Sequence, residues 1–371
     1  MSPLNEFQKA ARDPHGYARS MRSSGKKVLG YFCSYTPEEI IHAAGILPVR
    51  LFGAKDDTSV ADKHLQAYCC SLVRGALADA MNGRLDYLDG AVFPHTCDSI
   101  QRLSDIWRLN TGFGFFADVV LPVKLTTESA RQYLEDVLRK FRHDLEKGFS
   151  LTITDEALRA SLRTYNEIRQ SLKNLYELHS KNPAVLSGSA LNAVMRGAMV
   201  MDRAEAAQKL RALASELQAK PATTGSNKRV MLVGSLCDQP DIYGLIESAG
   251  ADVVWDDLCT GSRYFEGIIE DEGDPVASLA RRYFERIICP AKHASVRGRG
   301  ENLMGAVREH AVHGVIFLQL KFCDPHSFDY PYLKETLDKE GVPNMLLEIE
   351  AQLPPVGQLA TRFETFIQML H

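Results

Sequence analysis

The chain has 371 residues, 45% of them apolar, and a formal net charge of -4, so it has the material for a sizeable core in two or three domains. Lys and Arg are spread along it instead of massed in a block, which argues against nucleic acid as a partner. The polar start from Met1 to Arg22 lacks a signal-like apolar run, and no later run approaches the roughly 18 residues of a spanning helix, so a cytoplasmic protein without a membrane partner is expected.

Residues 1–25 read as a helical arm, followed over 26–126 by a first α/β domain. Its expected elements are a strand at Lys26–Phe32, a helix at Pro37–Ala44, an extended run at Ile46–Phe52, a helix at Ser71–Met81, a strand at Ala91–Phe93 and a helix at Ser99–Trp107. Residues 127–219 form a helical segment. There Leu158, Leu162, Tyr165, Ile168, Leu172, Leu175 and Leu178 recur at steps of three and four, which puts them on one helix face; packing within the chain is favoured over a coiled-coil seam. The segment pauses near Pro183 and resumes over Leu191–Leu217. A linker at 220–227 then leads into a second α/β domain, 228–371. Strands are expected at Arg229–Val233, Ala251–Trp255, Val315–Leu320 and Met345–Glu348, and helices at Asp241–Ala249, up to Ile288, Leu303–His313, Tyr332–Lys339 and Leu359–Met369. Alternating β and α predicts two Rossmann-like parallel sheets covered by helices.

Eight cysteines are expected to stay reduced in such a chain. There is no CxxC pair, no HExxH and no GxxxxGK[ST] loop, so neither a zinc ribbon nor a P-loop ATP site is supported. Ligands of open parallel sheets bind beyond the carboxyl ends of the strands, and Cys33, Cys97, Cys237, Cys259 and Cys323 each follow an expected strand. Cys69 and Cys70 sit just before a helix, where unpaired amides and the helix dipole favour a thiolate. Periodicity alone does not choose among these thiols, and a small buried hydrophobe is the commoner fate of any one of them.

Several separated motifs, in order, carry a family resemblance: Cys33-Ser34-Tyr35-Thr36-Pro37-Glu38-Glu39, Tyr68-Cys69-Cys70-Ser71-Leu72-Val73-Arg74, Phe93-Pro94-His95-Thr96-Cys97-Asp98-Ser99, Asp256-Asp257-Leu258-Cys259 with Gly261 and Arg263, and Lys321-Phe322-Cys323-Asp324-Pro325-His326. Through them the chain resembles the 2-hydroxyacyl-CoA dehydratase D-component family, which includes the small iron–sulfur subunits of ATP-dependent benzoyl-CoA reductases. The resemblance implies a [4Fe–4S] cluster held at the interface of the two α/β domains by three cysteines, here Cys70, Cys97 and Cys323, with Cys69 as the alternative first ligand and a larger cluster as the alternative assembly. One iron then lacks a protein thiolate and is open to substrate or water. It further implies an oxidoreductase subunit acting on CH–CH groups with ferredoxin as electron source, an acyl-CoA substrate, a homologous iron–sulfur partner subunit and a separate ATP-hydrolysing activator, within anaerobic aromatic degradation. The benzoyl-CoA reductase branch leads; a 2-hydroxyacyl-CoA dehydratase, a hydro-lyase, is the alternative, and a non-catalytic thiol or zinc protein is the reading from another class.

Candidate pocket residues are Ser34 and Glu38 in the first strand-to-helix loop, and His95 and His326 beside expected ligands; Ser34 or Thr36 as a helix cap competes with the first two. Arg263 is a candidate partner of Asp256, Asp257 or the cluster. Lys292, His293, Arg297 and Arg299 read as a basic loop, more a solvated surface than a phosphate site. Cys33, Cys237 and Cys289 are expected to be buried thiols.

Overall fold

The computed structural model describes residues 2–53, 57–221, 227–237, 240–270, 272–286, 289–292, 296–350 and 352–371. Most of the expected linker (222–226) and His293 lie outside these residues. Two helices open the chain, α1 (Pro3–Arg12) and α2 (Pro14–Ser23); each begins on a proline, and the side chains of Ser2 and Asp13 accept a backbone N–H of the first turn.

Four parallel strands, β1 (Val28–Tyr31), β2 (Leu47–Arg50), β3 (Gly90–Pro94) and β4 (Phe115–Val119), form a sheet of order β2-β1-β3-β4. Four more, β5 (Lys228–Gly234), β6 (Ala251–Asp257), β7 (Gly314–Leu320) and β8 (Asn344–Ile349), repeat the pattern as β6-β5-β7-β8. The inner strands β1, β3 and β7 are apolar runs buried almost throughout, as parallel sheets covered on both faces require. The strand order reverses between β1 and β3 in one sheet and between β5 and β7 in the other, and such switch points open a crevice beyond the strand ends.

Crossovers of the first sheet are α3 (Glu38–Ala43), α4 (Ser59–Asp62), α5 (Ser71–Met81) and α6 (Asp98–Asn110). A helical stretch of α7 (Glu128–Phe149), α8 (Asp155–Lys181), α9 (Gly188–Ala198) and α10 (Arg203–Gln218) follows. The second sheet is covered by α11 (Pro240–Ser248), α12 (Ser262–Phe265), α13 (Pro275–Glu285), α14 (Val296–Glu309), α15 (Asp324–Lys339) and α16 (Val356–Gln368). The apolar stripe of α8, Leu158 to Leu175, is buried within the chain, and α8 packs on α3 and α10 as well as on α12 and β6. It therefore ties both sheets together. One apolar cluster also runs from Val28, Phe32 and Phe93 to Val230, Leu232 and Leu318, so the sheets share a core.

The structure departs from sequence expectation in four places. β4 has no counterpart among the expected strands, the helical stretch resumes at Gly188 and divides into α9 and α10, α14 starts at Val296 instead of Leu303, and α15 starts at Asp324 instead of Tyr332. Among the described residues no helix is long and apolar enough to cross a membrane.

Candidate metal centre between the two sheets

Cys70, Cys97 and Cys323 occupy one kind of position. Each is the N-cap residue of a helix, of α5, α6 and α15 respectively, and none uses its side chain to cap. Only the first of these was expected to precede a helix directly. A helix N-terminus presents unpaired amides and the positive end of the helix dipole, so a negative charge placed there is stabilised. Cys97 follows β3 and Cys323 follows β7, which puts one thiol beside the switch point of each sheet.

Burial pushes the Cys70 thiol up to about 11 and the Cys97 thiol up to about 12, and holds Cys323 well above the usual thiol range. Charge on Cys70 raises Cys97 further, and charge on both raises Cys323, while first-turn amides such as those of Val73, Ile100 and His326 favour each thiolate. As free thiols they are protonated; a bound metal would ionise them. Cys69 is engaged differently, its Sγ donating to Gln66 Oε1 at 3.6 Å. Among the described residues no group of three or more His, Cys, Asp or Glu is set to hold a metal ion. A single tetrahedral ion, at about 2.3 Å from each sulfur, needs thiols in near contact; a four-iron cluster spans a wider set, and three uncapped thiols under three helix dipoles fit such an anionic group.

A second set of thiols adjoins the first. Cys33 is in the electrostatic surroundings of Cys97, Cys259 and Cys289, and Arg50 places an Nη 3.7 Å from Cys259 Sγ. Cys33 and Cys289 were expected as buried thiols; Cys289 is buried, but Cys33 is half-buried just beyond the end of β1, and their nearness to one another was not visible in sequence. Cys237 is fully buried, with its backbone N–H donated to Thr260 Oγ1 at 3.0 Å.

The candidate pocket residues divide. Glu38 is buried and accepts from Arg203 Nη at 2.8 Å and from the hydroxyls of Tyr165 and Tyr264 at 3.3 Å each. It anchors the first turn of α3, and the neighbouring Glu39 pairs with buried Arg169. Ser34 is buried and its carbonyl accepts from Arg286 at 3.1 Å. The N-cap of α3 is Pro37, without a side-chain cap, so neither Ser34 nor Thr36 caps that helix; Thr36 Oγ1 has no hydrogen-bond partner among the described residues. His95 Nε2 lies 2.9 Å from Asp118 Oδ1, which also accepts from Ser104 Oγ at 2.5 Å. His326 is buried, and burial together with Arg263 and Arg299 holds its imidazole neutral.

Arg263 pairs with Asp257 at 3.2 Å. Two of these basic residues are not solvated: Lys292 and Arg299 are buried, and Arg299 bridges Asp257 at 2.8 Å and Asp329 at 2.7 Å from within α14. Among the described residues of the stretch Arg297 fits the surface expectation, exposed and paired with Glu301. The carboxylates that answer Arg299 lie thirty and more residues away, and no local pattern signals them.

A sequence profile for the 2-hydroxyglutaryl-CoA dehydratase D-component matches residues 33–370. The chain is 29% identical to the (R)-phenyllactyl-CoA dehydratase beta subunit of Clostridium sporogenes, over 99% of this chain and 98% of that one. It is 31% identical to a benzoyl-CoA reductase subunit of Thauera aromatica, over 93% and 92%. It is 26% identical to the (R)-2-hydroxyglutaryl-CoA dehydratase beta subunit of Acidaminococcus fermentans, over 99% and 98%.

Proposed function

Because the chain belongs to the 2-hydroxyglutaryl-CoA dehydratase D-component family, we propose that it is the iron–sulfur subunit of an ATP-dependent benzoyl-CoA reductase, working with a homologous iron–sulfur subunit, an ATP-hydrolysing activator and ferredoxin. What supports this reading is that Cys70, Cys97 and Cys323, drawn from both halves of the chain, are each an uncapped helix N-cap, together with the 31% identity to a benzoyl-CoA reductase subunit. The residues of this chain then have separable tasks. The three thiolates anchor a [4Fe–4S] cluster, which supplies one-electron transfer and an open Lewis-acidic iron. Phe32, Phe93 and Trp107, packed at centroid distances of 5.0 to 5.8 Å with the indole edge-on to both phenyl rings, keep water from the first-sheet side. His95, oriented by Asp118, and the neutral His326 are the candidate proton donors to substrate. Ser34 lies in the loop between β1 and α3, and Glu38, in the first turn of α3, fixes that turn through Arg203.

A second reading, a subunit of a 2-hydroxyacyl-CoA dehydratase that removes water by a radical route, is favoured by the full-length likeness to dehydratase beta subunits. Product analysis separates them. The complex, with activator, ATP and reductant, is given benzoyl-CoA or a 2-hydroxyacyl-CoA; a cyclic dienoyl-CoA supports the reductase, an enoyl-CoA the dehydratase. The adjoining Cys33, Cys259 and Cys289 favour a larger cluster, which iron analysis of anaerobically purified protein tests: more than about four irons per chain supports it. Colourless protein carrying zinc would refute the iron–sulfur assignment altogether.

A further inference from the structure

Of the buried lysines and arginines among the described residues, four have a carboxylate answering them: Arg203 has Glu38, Arg169 has Glu39, and Arg263 and Arg299 share Asp257. Four do not, and of these Arg282 is spent on the carbonyls of Gly267 and Tyr264, which leaves three. Arg50, 2% exposed, offers one Nη to Cys259 Sγ, while its Nε and other Nη find no partner. Arg286, 4% exposed, stacks on the Tyr35 ring at 3.9 Å and donates from one Nη to the Ser34 carbonyl, leaving Nε unpartnered. Lys292, 3% exposed, donates from Nζ to the Leu121 carbonyl at 3.3 Å.

Leaving a charge buried without a counter-charge is strongly unfavourable, so three together imply a negative group between them. Charge on the Cys33 sulfur acts on all three. The same space touches Cys97 and Cys289, which also act on Lys292. Arg286 and Lys292 both lie over the Tyr35 ring, at 3.9 and 5.8 Å, and Arg50 reaches Cys259 Sγ at 3.7 Å; Glu38, the carboxylate that acts on Arg50, is already paired with Arg203, so among the described residues no free carboxylate supplies the anion.

We propose that Arg50, Arg286 and Lys292 form a counter-charge cradle for an anionic iron–sulfur cluster, seated on its Cys33 side, and that they make the cluster easier to reduce. The inference rests on the cluster reading above. A cubane held by thiolates is anionic and gains a further negative charge with each electron, and in a low-dielectric interior nearby fixed cations favour the reduced form. They act as positioning charges, touching neither substrate nor the reacting atoms.

The test uses the iron-loaded full chain in an anaerobic redox titration followed by electron paramagnetic resonance. Arg50→Met and Lys292→Met should each lower the reduced-to-oxidised ratio at the wild-type midpoint about tenfold or more, which is about 59 mV for a one-electron couple; Arg50→Lys should restore most of it. Variants with wild-type iron that titrate at the wild-type potential overturn the proposal. So does an unchanged potential with weaker acyl-CoA binding, which would assign the cations to the substrate. Thermal unfolding of the metal-free chain is the second readout, and it holds even for a variant that fails to load iron. Removing an uncompensated cation should raise its melting temperature, whereas a fall would make Arg50 and Lys292 ordinary structural residues. Wild-type protein without iron or acid-labile sulfide fails the cluster reading itself, before the cradle is reached.

Discussion

Asp256→Asn should stabilise the protein, and by an amount that depends on pH. The Asp256 carboxyl is buried without a salt bridge among the described residues, accepting from Tyr176 Oη at 2.8 Å and from the backbone amides of Ser262 and Leu258 at 2.7 and 3.2 Å. Burial pushes it up from 3.8 to about 6, against the lowering effect of those hydrogen bonds. The native state therefore holds this proton more tightly than the unfolded chain does. Stability from this group is greatest below about pH 4, falls as pH rises towards 6 and stays low above it. At 1.36 kcal/mol per pH unit the difference is about 3 kcal/mol. Asparagine cannot ionise and keeps an acceptor for the two amides, so its advantage over wild type should grow from near zero at about pH 4 to about 3 kcal/mol at about pH 7. Urea unfolding followed through Trp107 and Trp255, at several pH values, measures it. An advantage that stays constant across that range would refute the reasoning, since only a titrating charge produces the slope.

Cys70→Ser, Cys97→Ser and Cys323→Ser should each lose iron and visible absorption after anaerobic purification, whereas Cys237→Ser, whose sulfur is outside the set, should keep both; wild-type iron in Cys97→Ser would remove it from the ligands. Arg203→Met leaves Glu38 buried without its cation and should cost about 3–5 kcal/mol, read as a lower urea midpoint that no added acyl-CoA corrects. Gly53 has φ +76°, and a Cβ there would meet the Leu72 carbonyl at 2.7 Å; Gly53→Ala should therefore cost on the order of 1–3 kcal/mol and disturb the start of α5, where Cys70 sits. The chain by itself, given ATP and a strong reductant, should neither hydrolyse ATP nor turn over benzoyl-CoA or a 2-hydroxyacyl-CoA, and full turnover would contradict a divided enzyme.

What was legible in the sequence was what depends on short-range pattern. The apolar runs at 28–31, 230–233 and 315–320 gave strands, and α5 begins and ends where the pattern put it, Ser71 and Met81. Proline obscures the start of α15. Pro325 suggests a break, but it lies in the first helical turn, where a missing N–H costs nothing, so Cys323 caps a helix instead of trailing into a loop. Gly298 and Gly300 obscure α14 in the same way, both falling inside it. β4 is an edge strand bounded by Gly112, Gly114 and Pro122, with burial alternating along it, and it lacks the continuous apolar run of the inner strands. The charges were the least legible. Lys292 and Arg299 look solvated beside Arg297, and only the fold brings Asp257 and Asp329 to Arg299.

The repeated strand order explains why the thiols of one half do not suffice. In each sheet the switch point offers two loops, those after β1 and β3 or those after β5 and β7, and their cysteines are Cys33, Cys97, Cys237 and Cys323. If both halves used equivalent positions, Cys237 would stand where Cys33 does. It does not: Cys237 is fully buried beneath Thr260 and near Tyr243, and charge on it acts on that tyrosine and on Tyr176. The second half instead turns Cys259, Cys289 and the Arg263–Asp257–Arg299 network towards Cys33. Of the thiols proposed to hold a cluster, the first half carries Cys70 and Cys97 and the second carries Cys323. A group bound by all three thiols thus crosslinks the sheets, and its binding energy becomes energy holding the halves in register. Helix α8 and the shared apolar core preset that register in the chain itself, so the two halves are held together before any metal arrives.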